Sequence, residues 1–361
     1  MRFGLFWQTP GSEESSDARR HWETIEEIVL GEQLGFESAW LAESVFYPTR
    51  PMSNPLMVAI AAAQRTERIR FGTLAAQAPI HHPFHMATQS ATCDILTQGR
   101  LDLCLGGRWG SRFGRFFGHG DISSAESRER VAETIELIKL AWTQERVHFQ
   151  GKYWQADNLP VLPPPVQQPH PPLLLASNSN DTFPYAARLG LGAVCTTLSQ
   201  PMPRLIDRLA EYEAAKPATG TTLPQHVYVM VSFFVAKTRA EAHAVAKENW
   251  RDTDTAAGIA FMKGLGLDAS RPDFATGAVG WMTWDFAKAK EICIYDEPAA
   301  CVERLQSLQE QLPSMYQCIL EFNRRGRIPS ARVRESMRLF AEQVMPKLSH
   351  VSAARFSAGH G

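Results

Sequence analysis

Ile69–Gly106 reads IRFGTLAAQAPIHHPFHMATQSATCDILTQGRLDLCLG, one full cycle of the pattern that governs this chain. Ile69–Leu74 is a short apolar run of strand type. His85–Leu96 has helical spacing and is closed by Gly99, and Leu101–Gly106 is apolar again. A strand, a long crossover helix and a second strand in that order give a parallel pair.

Outward from this stretch the cycle repeats. Toward the N-terminus, Arg2–Trp7 precedes a helix over about Ser16–Leu34, and Ser38–Ala42 precedes one over Pro55–Arg65. Beyond Gly106 comes the periodic helix Ser124–Trp142, a hairpin at His148–Asp157 and the proline-rich Leu159–Pro172. Proline suits neither helix interiors nor central strands, so this last stretch reads as an ordered surface loop. The alternation resumes with Pro172–Ala176, a helix to Leu189, Gly192–Thr196, Pro203–Ala215, Val227–Ala236 and Ala240–Trp250. Arg251–Asp296, rich in glycine and aromatics, breaks the rhythm and reads as an insertion. Pro298–Gln311, Gln317–Phe322 and Ser330–Val344 complete the series.

Eight strand–helix units predict a (β/α)8 TIM barrel with insertions after strands four and seven. The expected organisation is one domain over residues 1–348, with the insertion at about 251–296 and a flexible tail at 349–361. An open doubly wound sheet is the alternative, and it carries a glycine fingerprint after its first strand. Here that strand ends in Gln8-Thr9-Pro10-Gly11, and GxGxxG occurs nowhere.

The chain has 361 residues, 44% hydrophobic and 21% charged, enough for a sizeable soluble core. A net charge of -1 gives no reason to expect nucleic acid or an anionic membrane, so a small molecule is the expected partner. The six cysteines are scattered without CxxC or Cys/His ligand spacing, which suggests buried thiols in a reducing, cytoplasmic setting and no metal site. The N-terminus reads as neither signal peptide nor membrane span.

Barrel chemistry sits in the loops after the strands. After the fifth strand, Ser179–Thr182 put hydroxyls and amides where a helix begins and where free N–H groups favour an anion. After the fourth, Arg108 lies between glycines, where a guanidinium can grip a phosphate. The pair describes a phosphate site; the plainer alternative is that Asn180 or Asp181 caps the helix and Arg108 is a surface charge. Trp7, Phe46, Trp109 and Trp281 are candidates to wall an apolar substrate pocket, although an aromatic residue is more often core. His81 and His82 are candidate catalytic residues, or, beside Pro83, residues that order the loop into the third helix.

The chain resembles the bacterial-luciferase-like flavin-dependent monooxygenases. The similarity lies in Phe3-Gly4-Leu5-Phe6, Gln33–Glu43, Arg65–Thr73, Asp94–Arg100 and Leu339–Pro346, in that order. The resemblance implies that Glu43, Leu74 and Ala75 meet a flavin ring, with a cis, non-proline peptide between Leu74 and Ala75. It maps the phosphate contacts onto Arg108, Ser179 and Thr182, with Asn178 where an acidic residue is common. It also implies reduced FMN supplied by a separate flavin reductase, and a flavin peroxide, formed with O2, that oxygenates a small organic substrate. A homo-oligomer is expected. The lid would come from the insertion or from Trp109–Ser123.

One departure bears on the chemistry. Many members carry two histidines after Glu43, and this chain has Ser44 and Val45. A hydroxyl cannot replace an imidazole that titrates near neutral pH. Ser44 therefore marks a candidate site of altered substrate chemistry. The alternatives are a deazaflavin-dependent hydride-transfer oxidoreductase in the same cleft and a flavin-binding protein without turnover.

Overall fold

The computed structural model describes residues 1–8, 16–46, 51–107, 113–177, 181–198, 201–218, 223–250, 260, 263–266, 284–289, 291–324 and 326–349. In chain order come β1 (Phe3–Trp7), α1 (Asp17–Gln33), β2 (Ser38–Leu41), α2 (Pro55–Ala63), β3 (Arg70–Thr73) and the two-residue β4 (Ala76–Gln77). Next are α3 (Pro83–Leu96), β5 (Leu101–Gly106), α4 (Ser124–Thr143) and the antiparallel hairpin β6 (Val147–Gln150) with β7 (Gln155–Leu159). β8 (Leu173–Ala176), α5 (Thr182–Arg188), β9 (Gly192–Thr196), α6 (Met202–Ala214), β10 (Val227–Val235) and α7 (Arg239–Asn249) follow. The chain continues through α8 (Trp284–Ala289), β11 (Cys293–Asp296), α9 (Pro298–Gln311), β12 (Met315–Glu321), α10 (Ser330–Gln343) and α11 (Met345–Ser349).

Eight strands close a parallel barrel in the order β1–β2–β3–β5–β8–β9–β10–β12, and β12 pairs back onto β1 from Phe3↔Cys318 to Leu5↔Leu320. The expected TIM barrel is the observed one. The sequence reading placed all of 251–296 outside the repeat, but its last residues form β11, a strand of the main sheet. The nine-residue β10 is long enough for two partners on one edge. Its first half pairs with β9, and Ser232–Val235 pair with Cys293–Asp296. Asn249 Nδ2 donates to Tyr295 Oη at 3.0 Å, and Ser232 Oγ lies 3.2 Å from the same oxygen. The two ends of the excursion are thereby fastened to β10.

Paired residues on parallel neighbours share a face. Gly4, Ser38 and Gln317 meet inside the barrel, where Ser38 Oγ donates to Gln317 Oε1 at 2.6 Å and accepts from Trp40 Nε1 at 2.8 Å. Trp40 is fully buried, and a Cβ on Gly72 would run into its indole ring. Gly72→Ala is therefore expected to lower stability by about 1–3 kcal/mol through overpacking. Denaturant unfolding checks this, and an unchanged midpoint would contradict it.

The other face of each strand packs on helices. Phe3 meets Phe340 of α10 edge to face at 4.9 Å. Glu27 of α1 is buried in this layer; its Oε2 accepts from Trp7 Nε1 at 2.8 Å and its Oε1 from Ser330 Oγ at 2.6 Å. Burial pushes its pKa up to about 7, against the opposing pull of these two hydrogen bonds. Among the described residues, no helix is long and apolar enough to cross a membrane, and no cluster of ligating side chains is placed to hold a metal.

Candidate active site

The C-terminal ends of β2, β3 and β4 converge on Glu43. Its side chain is buried, with Oε2 accepting from the Gln77 backbone N–H at 2.6 Å and Oε1 lying 2.5 Å from His81 Nε2. A carboxylate only accepts, so His81 Nε2 donates to it. The chain reaches His81 through a cis bond at Leu74–Ala75, the pairing of β4 with β5 and a single 3-10 turn at Ala78–Ile80. Ser44 is half-buried beside Glu43, with its backbone N–H donating to the Met52 carbonyl at 2.7 Å.

The neighbouring histidine takes a different course. His82 caps α3, its Nδ1 accepting from the Phe84 N–H at 3.3 Å, and its ring lies 4.7 Å from Trp154 in the β6–β7 hairpin. Burial lowers its pKa, reinforced by His85 and His119. His82 thus serves the start of α3, the alternative that its place beside Pro83 offered. Trp7 is corrected. Its indole N–H is bonded to Glu27 in the layer between β1 and α1, so it walls no pocket at the mouth. Phe46 does lie in the loop after β2, 48% exposed, with its ring 5.7 Å from Phe113 and 5.5 Å from Phe117.

Thr182 opens α5 and is half-buried, and Asp181 before it makes no side-chain capping bond. Arg108, Trp109, Asn178, Ser179 and Trp281 lie outside the described residues. A flat cofactor ring can be tested against the residues that are described. At the mouth, a Cβ on Gly106 would stand 2.9 Å from the Ala75 Cβ and 3.7 Å from the Ala176 Cβ. The residue before β4 and the last residues of β5 and β8 thus meet through the smallest side chains, a floor that larger ones would fill. These residues fit a planar ring.

One further feature of the mouth lies in Gln317–Phe322, the last strand of the sequence reading. Glu321 is buried, with Oε1 accepting from Gln8 Nε2 at 2.6 Å and Oε2 lying 3.3 Å from Arg324 Nη1. A charged residue closing an apolar strand was the available signal; its partner on β1 depends on barrel closure.

A sequence profile of the luciferase-like monooxygenases matches residues 1–314. The chain belongs to this family. It is an enzyme of the flavin-dependent monooxygenase type. This family member is 26% identical over 250 residues to the oxygenase component of the flavin-dependent trigonelline monooxygenase of Acinetobacter baylyi, an alignment covering 69% of each chain. It is 29% identical over 210 residues to an F420-dependent glucose-6-phosphate dehydrogenase of Amycolatopsis mediterranei, covering 55% of this chain and 60% of that one. Its fold superposes on the monooxygenase RslO1 of Streptomyces bottropensis with a TM-score of 0.78 and 25% identity, covering 96% and 99% of the two chains.

Proposed function

We propose that this luciferase-like enzyme is the oxygenase component of a two-component system, taking reduced FMN from a separate reductase and using O2 to oxygenate a small organic substrate. The observation that carries the reading is the Glu43–His81 pair, 2.5 Å apart at the barrel mouth beside the floor of Ala75, Gly106 and Ala176. Reduced FMN, when bound, would supply the electrons with which one oxygen atom enters the substrate and the other leaves as water. Arg108, Asn178, Ser179 and Thr182 would hold its phosphate-bearing chain, and Glu43, Leu74 and Ala75 the ring. Glu43 fixes the His81 ring, and His81 Nδ1 would take or return the substrate's proton. Phe46, Trp109 and Trp281 would shield the mouth from water.

The test is reconstitution with a flavin reductase, NADH and FMN, following O2 uptake and a product heavier by one oxygen atom. Arg108→Ala should weaken reduced-FMN binding by about 2–3 kcal/mol, the loss of a charge-assisted hydrogen bond. An unchanged dissociation constant would remove that assignment. Ser44 in place of an imidazole favours substrates other than long-chain aldehydes; efficient aldehyde oxidation with light emission would contradict this.

The resemblance to F420-dependent dehydrogenases favours a second reading, hydride transfer with a deazaflavin in the same cleft. Substrate-dependent reduction of F420 without O2 uptake would establish it in place of the first.

A further inference from the structure

At the opposite end of the barrel, under the N-terminal ends of the strands, lies a cavity of about 570 Å³. It is walled by the first residues of the strands, by the proline-rich loop before β8 and by the turn after α5. Its volume is that of a small-molecule site, and barrel chemistry does not use this face.

The charges in its wall do not cancel. Asp102 is taken by Arg70, with Nη2 to Oδ1 at 2.6 Å and Nε to Oδ2 at 3.0 Å, and Glu37 faces Arg2 at 3.5 Å. Among the described residues, those are the only carboxylates lining the cavity. Lys139 of α4 and Arg188 of α5 remain. Arg188 sits in the last turn of its helix, where it offsets the helix dipole. Lys139 is half-buried, and its Nζ has one partner among the described residues, the Leu189 carbonyl at 2.9 Å. An ammonium has three donors, so two are left for the cavity. His170, also in the wall, is buried, its Nδ1 on the Pro171 carbonyl at 2.7 Å and its other nitrogen without a bond among the described residues. Burial, with the Lys139 charge adding to it against the pull of the Pro171 bond, holds His170 below its usual pKa, so its free Nε2 becomes a donor to an anion on taking up a proton.

We propose that this face of the barrel holds a second small-molecule site, which takes an organic oxyanion of metabolite size, a carboxylate or a phosphate ester, with its charged end on Lys139 and His170. The site is independent of the chemistry at the mouth.

The experiment is calorimetric titration of the whole protein with inorganic phosphate and, separately, with acetate, at constant ionic strength. Wild type, Lys139→Met, His170→Gln and Arg108→Ala are compared, the last marking the mouth. Expected is saturable binding of at least one anion, weakened at least about tenfold in Lys139→Met, reduced in His170→Gln and retained in Arg108→Ala. The more favoured anion identifies the head group. Absence of saturable binding by either anion would overturn the proposal. So would loss in Arg108→Ala with binding kept in both Lys139→Met and His170→Gln, which would locate the anion at the mouth.

Discussion

His81→Ala is expected to lower kcat by about 10²–10⁴-fold, the usual contribution of a positioned acid or base, while leaving reduced-FMN binding unchanged. The expectation comes from the order of attachments. Glu43 is held by the Gln77 N–H, and its second oxygen holds His81 Nε2. Removal of the ring takes away the group placed to exchange a proton with the substrate, and Glu43 retains its backbone bond. Added imidazole should restore part of the lost rate in the alanine variant. Glu43→Gln should cost less, because an amide oxygen still accepts one hydrogen bond, although its –NH2 puts a donor where the carboxylate supplied a second acceptor. Steady-state turnover with the reductase and FMN is the measurement. A kcat for His81→Ala within about threefold of wild type, at the pH of maximal activity, would remove His81 from the chemistry.

Glu27→Gln is expected to stabilise the protein by about 3 kcal/mol at pH 8 and to have little effect near pH 4. The folded-state pKa is raised to about 7 from an ordinary 4.5. Between those values the folded chain binds a proton that the unfolded chain has released, so stability falls as pH rises from about 4.5 to about 7. Above that range the carboxylate is charged in both states and the cost of burying it is felt in full; a difference of this size corresponds to about 3 kcal/mol. Glutamine carries no charge to bury. Its oxygen can accept from Trp7 Nε1, and its amide can donate to the Ser330 oxygen, so both contacts of Glu27 survive. Urea unfolding of both proteins at the two pH values gives the difference directly. Equal midpoints at pH 8 would show that the buried carboxylate costs nothing there.

These two glutamates also mark how far the sequence could be read. The eight barrel strands were legible because strand and helix periods alternate cleanly, and the loop after each strand named Glu43, Ser44, His81 and Thr182 as mouth residues. Which face of a strand looks inward was not legible at Trp7. Strands of a parallel barrel are buried on both faces, so Phe3, Leu5 and Trp7 differ in no pattern from Phe6. The adjacent histidines show a similar boundary: one residue of the loop turns to Glu43 and the next starts a helix, a division set by the 3-10 turn and Pro83. β11 was missed because four residues, Cys293–Asp296, give too short a run to show a period, and they follow a stretch rich in glycine and aromatics.

The fastening of β11 to β10 also has a bearing on engineering. The chain departs after Trp250 and returns at Ile292, and both ends are tied to one strand, through Asn249, Tyr295 and four paired residues. Everything between is a cassette with fixed docking points. Its exchange for the corresponding segment of another family member changes no residue of the eight barrel strands, and chimaeras joined at these two positions test whether the segment bears on substrate preference.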